Sequence, residues 1–329
     1  MAGAVQEQAG GMAAAKKKPL MAVHDGAFHA DDCTAYSIMK HLHPSLELVR
    51  TRDPEVIATA DYVMDVGGEY DNETKFDHHQ KTFDERRNDE FNTKYAAAGL
   101  TWRKFGKDYV KKELELADDD DATAERVAAR VDRNYMRFLD ANDNGIDVGV
   151  PREYPGVPSA VAMYNAVVGT KGNSGFLAAA RMCEMILRGE VRSEYRYICA
   201  EAEMLKAAKE AKDGIIETSE SLPFTQVAFE NWESFRDCEV VVYTEQQSGR
   251  WRIQSLPAVK GQQFSRRCPA PKEWCGLSGE RLQEVSGHKG FIFVHANGFT
   301  GGAETREQML DIAEDWVRKS RAEREAEKK

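Results

Sequence analysis

No apolar run in this chain approaches the roughly 20 residues that cross a bilayer, which excludes a helical membrane protein. Cys-x-x-Cys pairs are absent too. The six cysteines, Cys33, Cys183, Cys199, Cys238, Cys268 and Cys275, are scattered, and nothing before Pro19 resembles a secretory apolar segment. Free thiols in a reducing, intracellular compartment are expected rather than a disulfide framework. The first 18 residues are rich in alanine and glycine, end in Lys16-Lys17-Lys18 and contain no arginine. That composition is expected to be disordered and makes a poor organelle transit peptide, while three lysines make a weak nuclear signal. It does not separate nucleus, cytoplasm and mitochondrion. There is no internal repeat, and no aromatic-rich basic stretch of the kind that tracks long single strands, so short substrates stay open. Histidine is scarce, with eight in 329 residues.

What is present is ordinary in bulk. Hydrophobic residues make up 42% and charged residues 30%, and the length suits two compact domains. The net charge of -10 is unevenly spread: Leu222 to Lys329 holds 16 basic and 16 acidic residues, so the deficit lies in the first 221. An acidic half repels a phosphate backbone unless something cationic is bound there, which argues against a passive nucleic-acid-binding module and suits carboxylates holding divalent metal.

Apolar runs and their punctuation predict strands at Leu20–His24, Leu46–Val49, Asp61–Asp65 and Lys75–His79, with helices from Asp31 to His43 and from Pro54 to Ala60 between them. Alternating strands and helices imply an α/β domain with a mainly parallel sheet covered on both faces. Further helices are expected from Ala122 to Asp140, Ser174 to Gly189 and Val191 to Ile216, with a loop marked by Pro151, Pro155, Gly156 and Pro158. Beyond Pro223 the pattern changes to strands at Glu239–Thr244, Gly249–Gln254 and Gly290–His295, followed by a helix from Glu304 to Ala322. The expected organisation is a disordered segment 1–18, a metal-binding α/β domain 19–190, a helical linker 191–221 and a smaller mixed α+β domain 222–322.

Four of the eight histidines fall in two clusters at expected strand ends, His24-Asp25-Gly26-Ala27-Phe28-His29-Ala30-Asp31-Asp32 and Asp77-His78-His79-Gln80. Asp65 ends an apolar strand directly before Val66-Gly67-Gly68. Sites in parallel α/β sheets gather beyond the carboxyl ends of the strands, so these distant residues can converge. Imidazole mixed with carboxylate suits a borderline cation such as Mn2+, whereas Mg2+ and Ca2+ prefer oxygen alone. Each signal alone has a bland reading. A single strand-end histidine is more often hydrogen-bonded structure than a ligand, and Asp140 and Asp143 read as polar residues at a helix end. Their joint occurrence in this order is far more specific.

At these residues the sequence resembles the DHH phosphoesterase superfamily, whose Asp-His-His signature stands here as Asp77-His78-His79. Within it the sequence is most similar to the Myg exonucleases. Their opening element, approximately His-Asn-Gly-x-Phe-His-x-Asp-Glu, matches residues 24–32, with Asp25 in place of Asn and Asp32 in place of Glu. Arg50-Thr51-Arg52-Asp53, Asp65 to Tyr70, Asp143-Asn144-Gly145-Ile146, Gly249 to Gln254 and Phe293 to Phe299 resemble further blocks, so the likeness runs from Pro19 to Trp316. It implies a three-layer α/β/α domain with two Mn2+ or Mg2+ ions, a smaller second domain, and 3′–5′ exonuclease action on RNA. By the resemblance, His24, His29, Asp31, Asp65, His78 and Asp143 are metal ligands, with Asp65 the bridge and His79 a catalytic contact to substrate phosphate. Gly301-Gly302 resembles a glycine element that meets substrate, although Ala303-Glu304 follows where many relatives in the superfamily have histidine. Arg52, Arg252 and His295 complete the candidate substrate-binding set. The expected partner is RNA or an oligonucleotide, with no membrane, and no oligomeric state follows from the sequence. Two other readings stay open: a phosphatase of pyrophosphate or short or cyclic nucleotides, and a metal-stabilised scaffold without turnover.

Overall fold

The computed structural model describes residues 17–90, 92–146 and 156–326. The expected segment 1–18 and the loop marks Pro151 and Pro155 therefore lie wholly or largely outside the described residues.

The chain begins with β1 (Leu20–Val23), α1 (Ala30–Leu42), β2 (Glu47–Arg50), a one-turn α2 (Pro54–Ile57), β3 (Tyr62–Met64) and β4 (Lys75–Phe76). These four strands form a wholly parallel sheet in the order β2-β1-β3-β4. The expected strand at Lys75–His79 is only two residues long, because Asp77 turns the chain out of the sheet by accepting the Gly68 amide at 2.5 Å. Buried Met21, Ala22 and Val23 on β1 with Val63 and Met64 on β3 make the centre of the sheet apolar on both faces, as parallel strands require.

Helices α3 (Ala97–Leu114), α4 (Asp121–Val131), a widened turn of π type at Asp132–Met136, and α5 (Arg137–Asp143) follow. The single helix expected from Ala122 to Asp140 is thus interrupted by that π turn, and α3 lies where no helix was expected. α6 (Val157–Val168) begins within the loop that Pro158 was expected to close. Proline is tolerated in the first helical turn, where its missing N–H costs no hydrogen bond, and Gly156 caps the helix. The two helices expected on either side of Gly189 are one, α7 (Ser174–Glu210). A lone glycine in a helix costs about 1 kcal/mol, less than the neighbouring turns supply.

The chain divides into two compact units, Met1–Arg192 and Ser193–Lys329. The second contains β5 (Ile215–Thr218), α8 (Phe224–Glu230), β6 (Val240–Thr244), β7 (Trp251–Ser255), α9 (Gly279–Ser286), β8 (Phe291–Val294), β9 (Thr300–Ala303) and α10 (Arg306–Ala326). Its sheet runs β5-β6-β7-β9-β8, parallel only between β5 and β6. Successive residues of β6 serve opposite cores: Val240 and Val242 pack with Trp274, Phe291 and Trp316, while Val241 packs with Tyr197, Phe235 and Leu256. The fold class is mixed α/β, with one parallel sheet and one mixed sheet. Among the described residues no helix is long and apolar enough to cross a membrane.

Candidate metal centre

Because β1 to β4 are parallel, their carboxyl ends share one edge, and the singled-out residues of the first unit leave from it. His24 follows β1, Arg52 lies two residues past β2, Asp65 follows β3, and His78 and His79 come just after β4. Asp65 sits at φ 58°, a left-handed conformation uncommon for a residue with a side chain, and so turns its carboxylate back across the strand ends. His29 starts α1, where its N–H is taken by the Asp32 carboxylate at 2.8 Å, and Asp31 lies in the first turn. Asp143 ends α5.

These side chains meet. His24 Nε2 lies 3.3 Å from Asp65 Oδ2 and 3.1 Å from Asp32 Oδ2, while His78 Nε2 lies 3.3 Å from Asp65 Oδ1 and 3.1 Å from Asp143 Oδ2. Three overlapping sets have ligand atoms within 4.8 Å of one another: His24, His29 and Asp65; Asp65, His78 and His79; and Asp31, His78 and Asp143. All six expected ligands belong to them, and Asp65 and His78 are each shared by two.

The short contacts are not hydrogen bonds. Asp65 Oδ1, Asp32 Oδ2 and both ring nitrogens of His78 are buried without a hydrogen-bond partner. Leaving such groups unmade costs about 1–3 kcal/mol each, more when charged, so their lone pairs converge on space rather than on one another. That is the arrangement a cation completes, and the residues fit one. His24 Nδ1 bonds the Asp25 carbonyl at 2.9 Å, which fixes the ring and leaves Nε2 facing Asp65.

The electrostatics agree. Burial disfavours charge on His24, but the adjacent Asp32 and Asp65 carboxylates overcome it and lift the imidazole to about 10. His78 reaches about 10 against the same burial through Asp143 and Asp65. Asp65 is buried as well, yet the two imidazoles hold its carboxyl well below the usual range. Burial pushes Asp31 well up, and the negative Asp143, Asp65 and Asp140 add to it. The shifts of His24 and His78 both favour protonated rings beside the carboxylates, so a metal bound there would displace protons.

Several supports were given no role in the site from the sequence. The Arg50 guanidinium donates to the carbonyls of Gly26 (2.6 Å), His24 (3.3 Å) and Gly172 (3.0 Å) and sits over the rings of Phe28 and Phe176. Asn165 of α6 brackets Phe28, donating to its carbonyl at 2.7 Å and accepting its N–H at 3.1 Å. Both Asp31 oxygens accept amides from the first turn of α3, Ala98 at 2.7 Å and Ala97 at 3.0 Å, and Asp140 accepts the Gly99 amide at 3.0 Å. The free N–H groups that begin every helix are here satisfied from two other helices. Lys94 Nζ donates to the His78 carbonyl at 3.2 Å, and Asn144, next to Asp143, donates to the Lys94 carbonyl at 3.0 Å.

Asp77, the first residue of the signature, works on its neighbours. Its Oδ1 contacts the His79 ring at Nδ1 (2.8 Å) and accepts the His79 amide (3.1 Å), which raises the pKa of that ring. The His79 side chain is 62% exposed, so a fixed imidazole stands out beside the buried His24, Asp65 and His78. Arg52 is exposed and pairs with Asp25 at 3.2 Å.

The remaining candidates belong to the second unit. Arg252 on β7 bonds Glu245 at 2.8 Å and lies 4.8 Å from the Phe293 ring centre. His295, just past β8, is exposed and accepts the Asn297 amide at Nδ1. Gly301 and Gly302 lie on β9, paired on both sides. A Cβ on Gly301 would meet the Phe293 carbonyl at 2.9 Å, and one on Gly302 the Phe293 ring at 2.8 Å, so packing alone explains both glycines.

With this geometry in hand, comparison with known proteins is specific. The family model MYG1_exonuc, described as "Uncharacterised protein family (UPF0160)", matches residues 20–317. The chain is 33% identical over 322 residues to the MYG1 exonuclease of Homo sapiens, covering 90% of this chain and 85% of that protein. It is 30% identical over 319 residues to a MYG1 protein of Schizosaccharomyces pombe, covering 89% and 95%. Among solved structures, RecJ in complex with Mn2+ from Thermus thermophilus aligns with 93% of this chain at 16% identity and a TM-score of 0.28, and the chain spans about half (52%) of that protein.

Proposed function

Because the chain belongs to the MYG1 exonuclease family, we propose that it hydrolyses phosphodiester bonds with two divalent cations, Mn2+ or Mg2+, removing nucleotides from the 3′ end of RNA or short oligonucleotides. The observation that carries this reading is Asp65, a single buried carboxylate whose two oxygens face histidines from different strands, His24 and His78. His24, His29 and Asp65 would hold one cation, and Asp31, His78 and Asp143 the other, with Asp65 shared. Bound there, the cations supply Lewis acidity toward phosphoryl oxygens and make water more acidic.

The protein's own groups supply position and protons. Asp77 anchors His79 through Nδ1, so its Nε2 is the atom that meets the phosphate and holds the proton taken up by the departing oxygen. Arg52 on the same edge offsets charge on a neighbouring phosphate. By the resemblance Gly301 and Gly302 match a glycine element that meets substrate, and Arg252 and His295 are further candidate contacts. Burial of Asp31, Asp32 and Asp65 keeps the carboxylates dry, which strengthens their hold on a cation.

The test is Asp65→Asn, assayed for Mn2+-dependent digestion of RNA labelled at the 3′ or 5′ end. The expected loss is about 10²–10³ or more, the scale of removing one charge-stabilising group, with less bound metal and unchanged circular dichroism. Near-normal turnover rejects the bridging role. Stepwise shortening of 5′-labelled RNA establishes direction, and pyrophosphate offered in parallel separates a small-substrate phosphatase.

A further inference from the structure

The second unit carries a groove that its sheet and cores do not account for. Three cavities of about 530, 400 and 330 Å³ adjoin around the loop that follows β7. The first and second share Phe264, Ser265, Arg266 and Asn297; the second and third share Thr225 and Gln263. Shared walls make them one elongated depression rather than three isolated pockets, and even the middle one by itself falls within the range of about 300–1,000 Å³ typical of ligand sites.

The lining is chemically pointed. Phe264 is 89% exposed, so its ring covers no core and is held out as a wall of two cavities. Phe299, lying 4.6 Å from the His295 ring, forms a second aromatic wall of the middle cavity. Gln263 and Asn297 bring side-chain amides that make no hydrogen bond among the described residues. Arg266 is exposed, its guanidinium tethered to the Asn297 carbonyl, and no carboxylate lines the middle cavity. Rings offer a face to any base, amides can read base edges, and a guanidinium without a competing acid suits a phosphate.

On this lining, and resting on the reading of the chain as a nuclease, we infer that the groove binds single-stranded oligonucleotide, with a base stacked on Phe264 and an adjoining phosphate at Arg266. Three cavities in series favour a strand over a single nucleotide, and the first adds Lys272 and Arg324 beside Glu323, with Arg324 paired to Glu239. The site is assembled from the start of α8, the end of β7, the 263–266 loop and the turn between β8 and β9.

The experiment is fluorescence anisotropy of a labelled oligouridylate with the full-length chain in EDTA, where cleavage does not interfere. Phe264→Ala is expected to weaken binding at least about fivefold, the lower end for losing one aromatic stack, and Phe264→Trp to retain it. Arg266→Gln is expected to weaken binding and flatten its salt dependence. Wild-type affinity in both Phe264→Ala and Arg266→Gln overturns the inference. So does a wild-type chain that fails to bind the oligomer, or that binds uridine monophosphate equally well. Hydrolysis of bis(p-nitrophenyl) phosphate by the wild-type chain, measured alongside with Mn2+, reports on the cage separately: its absence counts against the proposed function, while the binding arm still decides the groove.

Discussion

Adding one methyl group at Gly99 is expected to unseat the helix that braces the cage. A Cβ there would lie 1.8 Å from Asp140 Oδ2 and 2.5 Å from Arg87 Nη2. Asp140 is fully buried on a short side chain and is gripped from two sides, by the Gly99 amide at 3.0 Å and by the Arg87 guanidinium. Arg87 is itself fixed by Asp132 at 2.8 and 3.1 Å. The carboxylate cannot swing aside without losing both partners. Breaking a buried ion pair costs about 3–5 kcal/mol, and the lost amide bond adds about 1 kcal/mol. The helix propensity gained by alanine over glycine returns about 1 kcal/mol. The net loss of about 3–5 kcal/mol, at about 2–4 °C per kcal/mol for a domain of this size, lowers Tm by roughly 6–20 °C. Since the same helix turn donates to Asp31, Mn2+ affinity is expected to fall with it. Thermal circular dichroism of the metal-free chain and calorimetric Mn2+ titration read the two effects. A variant that melts within about 2 °C of wild type and binds Mn2+ equally well refutes the reasoning.

Other substitutions and conditions probe the remaining links. His24 and His78 are raised to about 10, so the stability their protons lend the metal-free fold is complete below about 6.5 and lost as pH climbs toward 10. Scanning fluorimetry of the metal-free chain is expected to show Tm falling across that window while Mn2+ affinity rises; a flat affinity profile would mean that no protons are displaced. Asp77→Asn removes the anchor of His79 and is expected to cut turnover by about 10–100-fold with bound metal retained, measured by single-turnover digestion and metal analysis. Arg50→Met releases the carbonyls of His24 and Gly26 and is expected to weaken Mn2+ binding by about 10–100-fold; unchanged metal content contradicts a positioning role for Arg50.

The first sheet was legible because β1 and β3 are short apolar runs bounded by Asp or Pro, and β1, β2 and β3 begin or end within a residue or two of expectation. The convergence of His24, Asp65 and His78 followed from that topology, since parallel strands deliver their carboxyl ends to one edge. Helix α3 was illegible for a physical reason. It begins after Ala96, which has no capping side chain, and it contains Gly99 and Gly106. Its start is supplied from elsewhere by Asp31 and Asp140, so no local signal exists. Gly189 misled in the opposite sense, as a break where α7 continues. The groove at Phe264 draws on four separate stretches, none basic or aromatic enough to stand out by itself.

Asp31 has a second employment whose effect reaches beyond the cage. Its carboxylate secures the opening amides of α3, and the far end of that helix presents Glu113 to Arg188 and Arg192 of α7 at 2.9 and 2.7 Å. Any reorientation of Asp31 toward an arriving ion therefore tugs on the Ala97 and Ala98 protons. Their exchange with deuterated solvent would register the ion's arrival from well inside the fold, without a labelled substrate or a turnover event.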